Sequence, residues 1–167
     1  MKKAISVLLS LFMAVSALGG CSGSSISSDE LNIAIGGSPL TVDPQLAMDT
    51  SSSDVITFFI STLYEYNDKN EITPWLAESC DISEDGLTYT FHIKEGLKWS
   101  DGRPLEAEDF VYGMRRLADP DLKSGASYLI TDCCRVKNAE NVFLGKTPLN
   151  ELGVSSPDSR TIIIELE

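Results

Sequence analysis

The reactive side chains of this 167-residue sequence are few, and their spacing limits the chemistry they can support. There is one histidine, His92, and there are four cysteines, at positions 21, 80, 133 and 134. Cys133 and Cys134 are adjacent, a pairing suited in principle to redox or soft-metal chemistry. No Cys-x-x-Cys spacing accompanies them, and one histidine with no paired ligands does not make a zinc set. The expectation is therefore no metal and no cofactor. Cys80, Cys133 and Cys134 read as buried free thiols, the alternative being a disulfide from Cys80 to Cys133 or Cys134 in an oxidising compartment. Catalysis would need a base, a nucleophile and an orienting group within reach of one another. His92 falls on the polar side of an alternating stretch and no Gly-x-Ser-x-Gly elbow is present, so the chain does not read as an enzyme.

Cys21 carries a different chemistry. Met1-Lys2-Lys3 is a short basic start, Ala4 to Leu18 is almost wholly apolar, and Leu18-Gly19-Gly20-Cys21 ends the run with small residues before a cysteine. This is the pattern of a lipoprotein signal peptide, residues 1–20, cleaved before Cys21. The apolar run is shorter than the roughly 20 residues a membrane-crossing helix needs. Cys21 would then carry a thioether-linked diacylglycerol, and several acyl chains anchor a protein stably where one alone does not. The stretch Ser22 to Ser28 (SGSSISS) is a flexible tether. Removing Lys2 and Lys3 leaves 11 basic residues (13 less 2) against 25 acidic ones, a net charge of −14. Such a chain lacks the cations that nucleic-acid phosphates require. It would also be repelled by anionic lipid, so any membrane attachment falls to the acyl chains.

The elements follow from periodicity. Leu31 to Ile35 reads as a strand ended by Gly36-Gly37, and Thr41 to Gln45 as extended with Pro44 as a breaker. Ser51 to Ser53 can cap a helix from about Asp54 to Tyr64. After the polar turn Asn67 to Asn70 comes Ile72 to Leu76, interrupted by Pro74. The run Ala77 to Tyr112 then reads as two ribbon segments with tight turns at Glu84-Asp85-Gly86 and Ser100-Asp101-Gly102, where glycine is free to take positive φ. Leu87, Tyr89, Phe91 and Ile93 alternate with Thr88, Thr90, His92 and Lys94, the period of a half-buried strand. Pro104 suits a helix start, and a helix from about Ala107 to Leu117 buries Phe110, Val111 and Met114 and ends at Asp119-Pro120. Tyr128 to Cys133 is ambiguous. Val136 to Leu144 reads as a helix stopped at Gly145, Pro148 to Leu152 as a turn, and Arg160 to Glu167 as a strand paired with Leu87 to Lys94.

The order of particular residues carries more than the periodicity does. Ala77-Glu78-Ser79, Tyr89-Thr90-Phe91-His92-Ile93-Lys94, Lys98-Trp99-Ser100-Asp101-Gly102-Arg103-Pro104 and Ala107-Glu108-Asp109-Phe110-Val111-Tyr112 follow one another. This series resembles the oligopeptide-binding type of extracellular solute-binding protein, family 5, which serves peptide and nickel ABC importers. Leu40-Thr41-Val42-Asp43-Pro44-Gln45 is similar to the family's Ser-Leu-Asp-Pro segment. Leu152-Gly153-Val154, followed by Thr161 to Glu167, is similar to the end of its small lobe. The likeness covers about residues 31–167.

The resemblance implies an α/β (α+β) fold of the periplasmic-binding-protein type II kind. It implies that only the first strand of lobe I, residues 31–50, and the small inserted mixed domain, residues 51–167, are present. Residues 1–20 would be the signal and 21–30 the lipid-anchored tether. Family members are much longer, so the chain is expected to be an amino-terminal fragment, with Leu31 to Ile35 short of sheet partners. The implied role is capture of oligopeptides at the extracytoplasmic face, as a lipid-anchored monomer, and delivery to an ABC permease with its own ATPase. A nickel chelate or other small solute, or a sensing or tethering role, is the alternative. Ligand contact is implied for the segment just after Asp-Pro, that is Met48, Asp49 and Thr50; the plain alternative is a loop that starts a helix. A further family contact comes from a Ser-Pro-Tyr-Ala loop. Here Ser124-Gly125-Ala126-Ser127-Tyr128 lacks the Pro-Tyr pair, and Tyr128 reads as packing.

Overall fold

The computed structural model describes residues 32–167. The signal segment, Cys21, the tether and Leu31 lie outside the described residues. The chain divides into a unit ending at Ala34 and a unit from Ile35 to Glu167. In the first, residues 32–34 have no regular structure. The expected strand over Leu31 to Ile35 is thus absent across its described residues, none of which has a ladder partner to fix it as a strand.

The second unit is a mixed α/β fold. Helix α1 (Thr50–Ile56) is followed by a small hairpin of β1 (Tyr64–Tyr66) and β2 (Ile72–Pro74), and then by strands β3 (Ala77–Ile82) and β4 (Thr88–Ile93). Helix α2 (Ala107–Leu117) comes next. A 3₁₀ turn at Gly125–Ser127 and a π turn at Leu129–Cys133 lead to helix α3 (Ala139–Phe143). A second 3₁₀ turn, Leu149–Glu151, precedes strands β5 (Val154–Asp158) and β6 (Thr161–Glu165). The main sheet is antiparallel with order β3-β4-β6-β5. The expected pairing of the last strand with Leu87 to Lys94 is present, Phe91 opposite Ile162 and Tyr89 opposite Ile164. Strand β5 was not anticipated. It is a short edge strand containing Pro157, and a register irregularity between Ser155 and Asp158 accommodates it.

One face of this sheet makes the core. Ile93, Val111, Val136, Val142, Leu152, Val154 and Ile162 are buried together, with Phe91, Phe110, Met114, Leu117 and Ile164 packed partly against them. The alternation read from the sequence therefore places the Tyr89, Phe91 and Ile93 series inward, and Phe91 meets Tyr64 edge-on at 6.2 Å. His92 lies on the opposite face, half-buried, its Nε2 3.3 Å from Asp81.

Helix α2 holds its expected span. Asp109 Oδ2 accepts from Glu106 N at 2.9 Å and from Trp99 Nε1 at 3.2 Å, so a single carboxylate ties the Trp99 turn to the helix start. Pro104 is not the first helical residue; it pairs with Lys98 across the turn, and Glu106 is the cap. Helix α3 is shorter than the expected Val136 to Leu144. Val136 is held in a bridge to Leu166 and Asn138 takes φ 65°, so helical backbone begins only at Ala139. Helix α1 starts and ends earlier than expected. Asp49, not the serines, caps it, and Ser51 to Ser53 sit inside it. Gly153 explains the Leu-Gly-Val motif. A β-carbon there would lie 2.7 Å from Lys137 Cβ and 2.9 Å from the Glu165 carbonyl oxygen.

Candidate functional site

The segment from Leu40 to Thr50 crosses the carboxyl-terminal half of α2 and is held there almost entirely by polar side chains. Asp43 and Arg116 form a two-pronged pair. Arg116 Nη1 donates to Oδ1 at 2.8 Å and Nη2 to Oδ2 at 2.6 Å. The guanidinium holds the Asp43 carboxyl below the usual aspartate value, partly opposed by burial and aided by the Gln45 N–H. Arg116 also donates to Gln45 Oε1, and Gln45 Nε2 donates to the Gly113 carbonyl at 2.7 Å. Ser124 Oγ donates to the Gln45 carbonyl. Buried Ser52 accepts from Leu40 N at 2.9 Å and Thr41 N at 3.2 Å.

This clamp presents the candidate residues. The Asp43 carbonyl accepts from the N–H groups of Leu46 and Ala47, both at 3.1 Å, turning the chain at Pro44 toward Met48. Met48 is 61% exposed, and its side chain lies against Gly125, where a β-carbon would meet it at 3.3 Å. The structure thus brings together the segment after Asp-Pro and the Ser124–Tyr128 loop. Asp49 is half-buried, and one carboxylate oxygen accepts from Ser52 N at 2.9 Å as the cap of α1. The Ser52 hydroxyl first, and then that backbone hydrogen bond, hold its carboxyl below the ordinary range, partly opposed by burial. Thr50 opens the helix and is exposed. Tyr128, expected to pack, is 47% exposed.

Sequence reasoning missed Arg116, Gln45 and Ser124. Arg116 lies 73 positions from Asp43, and nothing in local patterning says which of two adjacent arginines, 115 or 116, turns toward the segment. Arg115 instead pairs with Glu108 at 3.0 Å.

Beside Gln45 lies an apolar groove of about 460 Å³, lined chiefly by Phe59, Trp99, Leu105, Phe110, Met114 and Leu117, with Lys98 and Asp109 also on its wall. Trp99 and Phe59 are 41% and 55% exposed there. Among the described residues there is no cluster of three or more metal-ligating side chains. Nor is any described helix long and apolar enough to cross a membrane. The cysteines correct one expectation. All three described thiols are free, but Cys133 and Cys134 are exposed and only Cys80 is partly buried. The two stand in an open turn whose inward side is taken by Ile130 and Val136.

Comparison with known proteins supplies the family. Residues 71–167 match the model of the bacterial extracellular solute-binding proteins, family 5. The chain is 36% identical over 130 residues to the probable deoxycholate-binding periplasmic protein YgiS of Escherichia coli, covering 77% of this chain and 24% of that protein. It is 35% identical over 136 residues to the oligopeptide-binding protein OppA of Bacillus subtilis, covering 81% and 24%. Among solved structures, Haemophilus influenzae OppA in complex with the peptide RPPGFSPFR superposes with a TM-score of 0.74 at 32% identity, over 78% of this chain and 25% of that one. The chain therefore spans about a quarter of the length of the relatives it matches. With its motifs in order and its sheet and helices in the same arrangement, it belongs to the extracellular solute-binding proteins of family 5.

Proposed function

We propose that this protein captures oligopeptides on the extracytoplasmic side of the membrane and delivers them to an ABC permease driven by a separate ATPase. The observation that carries the reading is the Arg116–Asp43 clamp, which fixes the segment after Asp-Pro with Met48 exposed against Gly125 of the Ser124–Tyr128 loop, Thr50 exposed and Asp49 half-buried between them in sequence. Peptide ligands present the same backbone donors and acceptors whatever their sequence, so a rigid edge with one carboxylate suits a sequence-tolerant grip. Relatives named for oligopeptide binding support the same role. Closure of two lobes about a hinge would enclose the ligand, with residues 31–50 belonging to lobe I and 51–167 forming the small domain. The protein acts as a monomer and catalyses nothing. Cys21 anchors it through acyl chains after residues 1–20 are removed, with 21–30 as the tether. Cys21→Ser should abolish radiolabelled palmitate incorporation and release the protein from membranes; retention of label would refute the anchor.

The apolar groove supports a second reading. Its aromatic walls and Lys98 fit an apolar carboxylate, and one relative is named for probable deoxycholate binding. Calorimetry of the complete gene product with mixed oligopeptides, nickel chelates and deoxycholate separates the readings. Peptide heat without turnover, weakened by Asp49→Ala, is the expected result. Binding of deoxycholate alone, lost on Trp99→Ala, would replace it.

A further inference from the structure

Cys133 and Cys134 belong neither to the Asp43–Arg116 clamp nor to the lining of the apolar groove. They are adjacent, free and exposed. They end the π turn Leu129–Cys133, which is closed by Cys134 N donating to the Leu129 carbonyl at 2.9 Å and Val136 N to the Ile130 carbonyl at 2.8 Å. Such π turns are rare. Ile130 and Val136, 5% and 1% exposed, pin the turn at both ends. Between them Arg135 takes φ 53°, an unfavourable left-handed conformation for a long side chain. The pair therefore rides on a strained loop fastened to the core on either side.

We propose that Cys133 and Cys134 form a reversible redox site that closes to a vicinal disulfide by exchange with a small external disulfide. One thiolate attacks the external disulfide, forming a mixed disulfide and expelling one thiolate. The neighbouring thiolate then attacks the protein sulfur, expelling the second. The pair loses two electrons and two protons, and the external disulfide becomes two thiols. Adjacent Cα atoms are about 3.8 Å apart, whereas disulfides ordinarily span about 4.4–6.8 Å. Consecutive helical side chains also point apart. Ring closure therefore requires the turn to open, and the strained bond is readily reduced again. The opening is confined between Ile130 and Val136. Cys80 provides an internal control. Burial, and then the Asp81 charge, push its thiol up, away from the reactive thiolate.

The test treats the full chain with excess oxidised glutathione and digests it with trypsin. The peptide Ser124–Arg135 contains Cys133 and Cys134 and no other cysteine. Mass spectrometry should find this peptide lighter by two hydrogens, free of glutathione and restored by dithiothreitol. The Cys80 peptide should stay unmodified. Cys134→Ser should instead retain one glutathione on Cys133. In the oxidised protein the Cys134 and Val136 amides should exchange about tenfold faster, as in a local opening, while the Ile93 amide is unchanged. A wild-type peptide that keeps its glutathione, stays reduced or cross-links two chains overturns the proposal. So does a vicinal disulfide that leaves those two amides protected.

Discussion

Two regions of this molecule are held by different physics. From Ala77 to Glu167 the chain is organised by burial: Ile93, Val111, Val136 and Ile162 share one apolar core between the sheet and α2. From Leu40 to Thr50 it is organised by direction. Leu40, Val42, Leu46 and Met48 are 84%, 58%, 41% and 61% exposed, and the segment is positioned by Arg116, Gln45, Ser52 and Ser124. Burial is cooperative, because removing one buried side chain loosens all of its neighbours. A few directed hydrogen bonds can be released one at a time while the rest of the fold stands. A segment proposed to meet a ligand is well served by the second arrangement.

The largest expected effect lies in the buried region. Ile162 is fully buried on a central strand opposite Phe91. Ile162→Ala should lower the unfolding free energy by about 2–5 kcal/mol, read from the urea midpoint, and it should loosen both regions together. A loss below about 1 kcal/mol would mean the core is not one unit. Gly153→Ala should follow at about 1–3 kcal/mol, because its methyl group would press on Lys137 and on backbone that cannot move freely.

Next in size is the release of the polar segment. Arg116→Ala should cost at most about 1 kcal/mol globally, yet it should strip hydrogen-exchange protection from the Leu46 and Ala47 amides while Ile93 keeps its own. The same separation should appear with pH. The Asp43 carboxyl is held below its ordinary 3.8. Its contribution is thus complete above that value and is lost as pH falls through the lowered folded-state value. Acid titration followed by NMR should therefore free residues 43–47 before the sheet opens, and Arg116→Gln should remove that step. If the amides of both regions lost protection together, the contrast between them would be wrong.

How much of this could be read from the chain follows the same division. The strand Thr88–Ile93, the helix Ala107–Leu117 and the turn glycines at 86 and 102 were legible, because side-chain period and positive φ are local properties. Strand β5 was not, since Val-Ser-Ser-Pro-Asp has neither alternation nor length, and only its neighbour β6 makes it a strand. Helix α1 was read too long, because Phe58 and Phe59 continue a helical spacing although the helix ends at Ile56 and both rings stand exposed. In the candidate site, Met48, Asp49 and Thr50 were reached through resemblance. The clamp that positions them was out of reach, since Asp43 and Arg116 meet only once the chain has folded.

The smallest effect on stability bears most directly on function. Asp49 caps α1 through one carboxylate oxygen and Ser52 N, so two roles compete for one side chain. Asn is as good a helix cap as Asp but carries no charge. Asp49→Asn should therefore leave α1 intact, as judged by the Ser52 and Ser53 amide shifts, whereas Asp49→Ala should fray it. If Asp49 also meets the cationic end of a peptide, Asp49→Asn in the complete protein should weaken binding of peptides with a free amino terminus. It should spare those with an acetylated one. Equal affinity of wild type and Asp49→Asn for both peptides would confine Asp49 to the cap and leave Met48, Thr50 and the backbone beside Gly125 as the proposed contacts.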